Sequence, residues 1–243
     1  MCEEETIVYT DYLGMLIRKK LINIAKKHIN APDHIPNNIF WYRKGNIHLL
    51  EEIKKFSAHF IEPLLDEDCF LIGDTAFMLN YPPHDIHIDC PNLQDGIKGY
   101  KSVVIPLEID TDNYPMLYTA DQYYYGPTTR FRKGCEVIDD TPSNKKQQEN
   151  GVNFCYDYNQ AGVKYLQNSI SKTWYDDHID EPEYVPFSTF EGFSIEKSNE
   201  WKPGNVIIFD NARIHFAEKI QKVGATYKIG ISLNYGVMFK ELD

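Results

Sequence analysis

Two histidines and one aspartate carry the strongest chemical signal in this chain. His87-Ile88-Asp89 sets an imidazole and a carboxylate two positions apart, after the strand-like run Phe77-Met78-Leu79-Asn80-Tyr81 and a Pro82-Pro83 turn. Alternate residues of a strand face the same side, so His87 and Asp89 point together. A distant histidine, His215, follows the turn-and-strand segment Pro203-Gly204-Asn205-Val206-Ile207-Ile208-Phe209. If the fold joins these segments, two imidazoles and one carboxylate grip one face of a metal ion and leave its other positions open.

A second triplet, His178-Ile179-Asp180, competes for the role. Spacing separates the two. An eight-stranded jelly roll with the triplet on its second strand and the distal histidine on its seventh would fit four strands between them, which needs about 40 residues or more. From Asp180 to His215 only 34 residues intervene, with Pro182 and Pro186 among them; from Asp89 there are 125. The second copy also lies in the acidic run Tyr175 to Glu181, which reads as a solvated loop. His87 and Asp89 are therefore the expected ligands.

Downstream, Thr226 to Tyr235 alternates strictly between polar and apolar residues. Tyr227, Ile229, Ile231, Leu233 and Tyr235 share one face; Thr226, Lys228, Gly230, Ser232 and Asn234 share the other. One reading is a half-exposed strand with its polar side in water. The other turns that side into a barrel, where Lys228 and Ser232 receive a carboxylate and Gly230 leaves room for it. Arg213 is a second candidate for the anion.

Together these pieces resemble the 2-oxoglutarate and Fe(II)-dependent oxygenases. His87 and Asp89 match that family's HxD, Gly204 to Phe209 with His215 match its distal histidine segment, and Lys228 with Ser232 match its basic-then-hydroxyl pair. Tyr81, in a Tyr-Pro pair before HxD, is similar to the tyrosine with which prolyl-hydroxylase-type members contact the co-substrate. The segment Gln122 to Phe131 is similar to oxygenases encoded by tailed marine bacteriophages. Two departures stand out. Lysine replaces the commoner arginine, so a point charge replaces a bidentate fork, and it lies 13 positions after His215, beyond the family's usual offset.

The resemblance implies a double-stranded β-helix (a cupin-like jelly roll), mainly β, buttressed by N-terminal helices. It implies Fe(II), 2-oxoglutarate and O2 as cofactor and co-substrates, with ascorbate as an accessory. His87, Asp89 and His215 would hold the iron, and Lys228, Ser232 and Tyr81 the 2-oxoglutarate. The implied reaction is hydroxylation of an unactivated C–H bond with succinate and CO2 as co-products, peptidyl-proline being one candidate target. Tyr123, Arg130 and Arg213 are candidate substrate contacts on a small molecule or a peptide. The rivals are a metal-dependent cupin enzyme that does not use 2-oxoglutarate and a non-catalytic jelly-roll binding protein.

These chemical residues need elements to position them. Residues 11–29 read as an amphipathic helix with Asp11 as N-cap, a stripe of Leu13, Leu16, Ile17, Leu21 and Ile24, and a stop at Asn30-Ala31-Pro32. A second helix is expected from about Asn46 to Pro63 with Leu49, Leu50, Ile53, Phe56 and Phe60 inward. His28, His48 and His59 lie on these helices as packing or surface residues. Strands are expected from Cys69 to Ile72, Ser102 to Leu107 and Met116 to Thr119. The whole 243-residue chain reads as one domain: helical support over 1–66, and a β core over 67–240 with an insertion near 136–200.

Composition fits this picture. Hydrophobic residues make up 42% and aromatics 14%, enough for a sizeable β-rich core. A net charge of −11 argues against a nucleic-acid or anionic-membrane partner, despite the Arg130, Arg132, Lys133 cluster. Five scattered cysteines without a Cys-x-x-Cys pair, and no leader sequence, predict a reducing cytoplasm (a host's, if the chain is phage-encoded). Cys90, after Asp89, is expected to face the core. No run approaches the ~20 apolar residues of a membrane span.

Overall fold

Two antiparallel sheets enclose the metal-ligand candidates, and each sheet is covered on its outer side by separate apolar material. The computed structural model describes residues 5–29, 42–65, 68–73, 75–80, 86–89, 96–123, 170–178, 187, 190 and 193–238. In chain order the strands are β1 (Ile7–Tyr9), β2 (Tyr42–Gly45), β3 (Phe70–Leu71), β4 (Ala76–Asn80), β5 (Ile97–Ile109), β6 (Met116–Tyr123), β7 (Ile195–Glu200), β8 (Val206–Asp210), β9 (Arg213–Ala217) and β10 (Lys228–Met238). The helices are α1 (Met15–Ile29), α2 (Glu51–Phe56) and α3 (Lys172–His178). The larger sheet runs β1-β8-β5-β10-β4-β2, with β3 also paired to β10; the smaller runs β7-β6-β9.

The alternation of β10 divides the core. Ile229, Ile231, Leu233 and Tyr235 join Phe77, Leu79, Val103, Ile105 and Ile208 in one cluster with Leu21, Ala25, Ile53 and Ile61 of the N-terminal helical segments. Opposite residues of an antiparallel pair share a face, and Ser232 lies across from Val104 and Asn234 across from Ser102. That other face meets the smaller sheet: Val104, Ile207 and Phe209 pack with Leu117, Ala217 and Trp201. Lys228, Ser232 and Asn234 are all buried there. The strand is thus closed on both sides, and the half-exposed reading of it does not hold. A third cluster (Ile86, Ile88, Tyr118, Ile214 and Phe216 with Tyr175, Phe190 and Phe193) lies on the outer face of the smaller sheet.

Several local expectations change. Helix α1 begins at Met15, four residues after Asp11. Asp11 is not its N-cap: it adopts a left-handed φ of 49°, and its carboxylate pairs with Lys202 at 2.9 Å. The shift leaves Leu16 77% exposed, and the buried stripe is Leu21, Ile22 and Ala25. The second helix is broken into a 3-10 turn (Ile47–Leu49), α2, a π turn (Ser57–Ile61) and a further 3-10 turn. Leu50 causes the break: its extended backbone (φ −73°, ψ 128°) interrupts the helical path and leaves Leu49 exposed. Residues 175–178, the described part of the run expected as a solvated loop, belong to α3, because Tyr175 is drawn into the aromatic cluster under the smaller sheet. Residues 195–200, counted within the insertion, supply strand β7.

No helix among the described residues is long and apolar enough to cross a membrane, which says nothing of a β-barrel. The turn before β8 depends on Gly204, whose φ of 103° and 3.1 Å approach to the Leu13 carbonyl, measured from where a Cβ would stand, exclude most side chains.

Candidate metal centre

The two distant segments meet. His87 and His215 exchange both backbone hydrogen bonds of an antiparallel bridge: His87 N–H donates to the His215 carbonyl at 3.0 Å, and His215 N–H to the His87 carbonyl at 2.9 Å. The HxD segment therefore extends the smaller sheet beyond β9, and backbone pairing sets the two imidazoles side by side with centroids 4.1 Å apart. The Asp89 carboxylate faces both rings. One oxygen is 3.9 Å from His87 Nε2, and the other is 3.8 Å from His215 Nε2.

All three ligand atoms lie within 4.8 Å of one another, and among the described residues this is the one such His/Cys/Asp/Glu group. Ligands about 2.1 Å from a metal at right angles sit about 3 Å apart, so a small inward movement of each side chain would bring the three donors onto one face of a metal ion. The donor set fits a divalent transition metal of intermediate softness, with one face left for exogenous ligands. His215 is also oriented for the task. Its Nδ1 lies 3.0 Å from the Arg213 carbonyl, a contact that needs the proton on Nδ1 and leaves the Nε2 lone pair for a metal. Phe209 backs the same ring, with centroids 4.6 Å apart. His178, of the competing triplet, instead stacks on Trp174 within α3 (4.2 Å, 5°) and bonds the Trp174 carbonyl through Nδ1.

The two candidate anion-binding cations differ sharply. Lys228 is 3% exposed and has no hydrogen bond or ion pair among the described residues. Its ammonium sits over the Trp201 indole, 4.9 Å from the ring centroid. Burial lowers its pKa to about 8, partly offset by the negative charge of Glu218. Ser232, two inward positions along β10, is also buried. Gly230 lies between them, and the space it leaves is taken by protein: a Cβ there would stand 2.7 Å from Trp201 Cζ2. The expectation that this gap admits a co-substrate is thus replaced by a Gly230–Trp201 contact.

Arg213 is equally buried but surrounded by protein acceptors. Nη1 donates to the Ala120 carbonyl at 2.7 Å, Nη2 donates to the Tyr123 hydroxyl, and Glu196 lies at 3.6 Å. Tyr123 also stacks under the guanidinium, 4.4 Å from ring centroid to Cζ. The Glu196 carboxylate accepts from Thr119 Oγ1 (2.6 Å), Thr6 Oγ1 (2.7 Å) and Thr6 N–H (2.9 Å). Burial alone would raise the Glu196 pKa, but these hydrogen bonds and the Arg213 charge outweigh it and hold the carboxyl below its ordinary range. Thr119 is the cross-strand partner of His215, so the network borders the metal-ligand strand directly.

Tyr81, Arg130 and Cys90 lie outside the described residues. Sequence reasoning missed Trp201, Glu196 and Thr119. Trp201 had a usable signal, standing two residues before the Pro203-Gly204 turn. Thr119 and Glu196 had none, since their roles arise only from cross-strand pairing.

No protein-family profile matches the sequence, and no curated protein matches it. Solved structures do resemble the fold. The non-haem alpha-ketoglutarate-dependent epimerase SnoN from nogalamycin biosynthesis aligns at a TM-score of 0.54 with 8% identity, over 96% of this chain and 78% of that one. EvdO2 from Micromonospora carbonacea var. aurantiaca aligns at 0.53 with 9% identity, over 99% and 89%. The non-haem alpha-ketoglutarate-dependent carbocyclase SnoK, also from nogalamycin biosynthesis, aligns at 0.53 with 10% identity, over 96% and 80%. At such identities the likeness establishes a shared fold.

Proposed function

We propose that this chain is an Fe(II)- and 2-oxoglutarate-dependent oxygenase on a jelly-roll core, acting on an unactivated C–H bond. The convergence of His87, Asp89 and His215 carries the reading. It is supported by the fold shared with SnoN and SnoK, which are themselves described as alpha-ketoglutarate-dependent. When bound, iron with 2-oxoglutarate supplies O2 activation: the oxo acid becomes succinate and CO2, one oxygen atom entering succinate and the other the substrate.

The residues of the chain bind and orient. His87, Asp89 and His215 hold the metal from one side, the Arg213 carbonyl fixes the tautomer of His215, and Phe209 braces its ring. Lys228 provides the positive charge for the distal carboxylate, with Ser232 as a hydroxyl partner. The buried ammonium, with no anion within ion-pair distance among the described residues, distinguishes this reading from a cupin enzyme that takes no 2-oxoglutarate. SnoN and SnoK are an epimerase and a carbocyclase, so the outcome of C–H attack in this chain is set by its substrate. Hydroxylation of a small molecule or a peptide, prolyl peptides included, is the outcome to test first.

The test is anaerobic titration with Fe(II) and 2-oxoglutarate, then succinate release in air with candidate substrates. His87→Ala, Asp89→Ala and His215→Ala should each abolish metal uptake and turnover while circular dichroism stays native. Turnover surviving in any of the three would sink the assignment.

A further inference from the structure

The Lys228 ammonium is held by an aromatic face, not by a carboxylate, and a glycine makes that arrangement possible. Trp201 ends the β7 strand region, its backbone N–H donating to the Pro115 carbonyl at 2.9 Å. From there the indole crosses to β10 and lies against Gly230, so close that a Cβ at that position would meet Cζ2 at 2.7 Å and Cη2 at 3.5 Å. The same Cβ would have the Ile105 carbonyl at 3.4 Å, leaving little freedom to rearrange. The indole is 4% exposed, and Lys228 Nζ sits over its ring.

We propose that Trp201 is the positioning residue for Lys228: its indole, seated on Gly230, holds the ammonium inside the cleft as the binding group for the distal carboxylate of a dicarboxylic 2-oxo acid. The proposal rests on the Lys228 assignment above and deepens it. A flexible four-carbon stem carrying a compact charge has many rotamers, and an arginine fork is absent here to fix the geometry. A desolvated cation over indole gains enough to select one of them without neutralising the charge. A glutamate in the same place would satisfy the ammonium and compete with the incoming carboxylate. The ring therefore orders the lysine while leaving its charge for the ligand. Gly230 is needed because any side chain would lift the indole from the strand and move the ammonium with it.

The experiment follows 2-oxoglutarate binding to the Fe(II)-loaded protein under anaerobic conditions by tryptophan emission. The chain has three tryptophans; Trp41→Phe and Trp174→Phe leave Trp201 as the reporter. A saturable emission change is expected in that background. Trp201→Leu and Gly230→Ala should weaken 2-oxoglutarate binding roughly tenfold, read by calorimetry, raising KM for 2-oxoglutarate with kcat at saturation nearly unchanged. Trp201→Phe, which keeps an aromatic face, should restore most of the affinity. Lys228→Met should remove the binding and the emission change together. If Lys228→Met loses affinity while Trp201→Leu and Gly230→Ala keep it, Trp201 does not position the lysine and this proposal alone is overturned. If Lys228→Met binds 2-oxoglutarate normally, the anchor assignment falls and this proposal with it.

Discussion

Arg213 and Lys228 are both buried cations on the inner side of the two sheets, and they are treated in opposite ways. Arg213 meets a carbonyl, a hydroxyl, an aromatic face and a carboxylate, all from the protein itself. Lys228 meets an indole and, among the described residues, no anion within ion-pair distance. A buried charge left without a counter-charge is expensive. A fold retains one where a ligand supplies the missing partner, so the less satisfied cation is the better candidate for binding the proposed co-substrate. Arg213, two residues before His215, instead ties the metal-ligand strand to β6 and β7.

Substitution should pull the two apart most strongly in stability. Arg213→Met leaves Glu196 buried beside no cation and strips a donor from the Ala120 carbonyl. It should cost about 3–5 kcal/mol, read as a drop in the urea midpoint. Lys228→Met should do the reverse. With a folded pKa near 8 against an ordinary 10.5, holding the lysine charged at pH 7 costs on the order of 3 kcal/mol, which methionine removes. Lys228→Met should therefore match or exceed the parent in stability while losing 2-oxoglutarate. Equal destabilisation by both changes would break the contrast.

pH sharpens the same contrast. Between about 8 and 10.5 the unfolded chain holds more protons than the folded one, so the stability penalty of Lys228 is full below pH 8 and fades across that window. Ligand binding runs the other way. The carboxylate needs the charged ammonium, so apparent 2-oxoglutarate affinity should fall roughly tenfold per pH unit above 8. Lys228→Arg keeps its charge across this range and should show no such fall up to about pH 10. A flat profile in the unaltered protein would mean that another cation takes the carboxylate.

How far this was legible in the sequence follows from where the information lies. His87, Asp89 and His215 could be read because HxD is local and because strand counting rejected His178 on spacing. The two faces of β10 could be read because their period is two. What periodicity does not give is which face meets water, and β10 turned out buried on both sides because a second sheet closes over Lys228, Ser232 and Asn234. Trp201 lies 29 positions from Gly230, and no local pattern links a glycine gap to a distant indole. Glu196 looked like one more acidic residue in an irregular stretch until β7 paired with β6 beside Thr119. Helix limits erred where single backbone angles decide them, at Asp11 and Leu50.

The smallest expected effect probes how the paired cation is held from a distance. Thr6 precedes β1, which belongs to the larger sheet, yet its hydroxyl donates to Glu196 and its backbone N–H donates to the same carboxylate. The chain's N-terminal segment thus bridges the two sheets through the carboxylate that faces Arg213. Thr6→Val keeps the shape and the N–H but loses the hydroxyl donor, which should cost about 1–2 kcal/mol. Glu196 contributes stability above the ordinary carboxylate pKa and loses it as pH falls through its lowered folded value. With one of its hydrogen bonds gone, that folded value moves back up, so the acid limb of the variant's stability curve should shift toward higher pH. The Lys228-dependent limb above pH 8 should not move. A variant that shifted both limbs equally would show that the two cations report one coupled network, and the contrast between them would no longer stand.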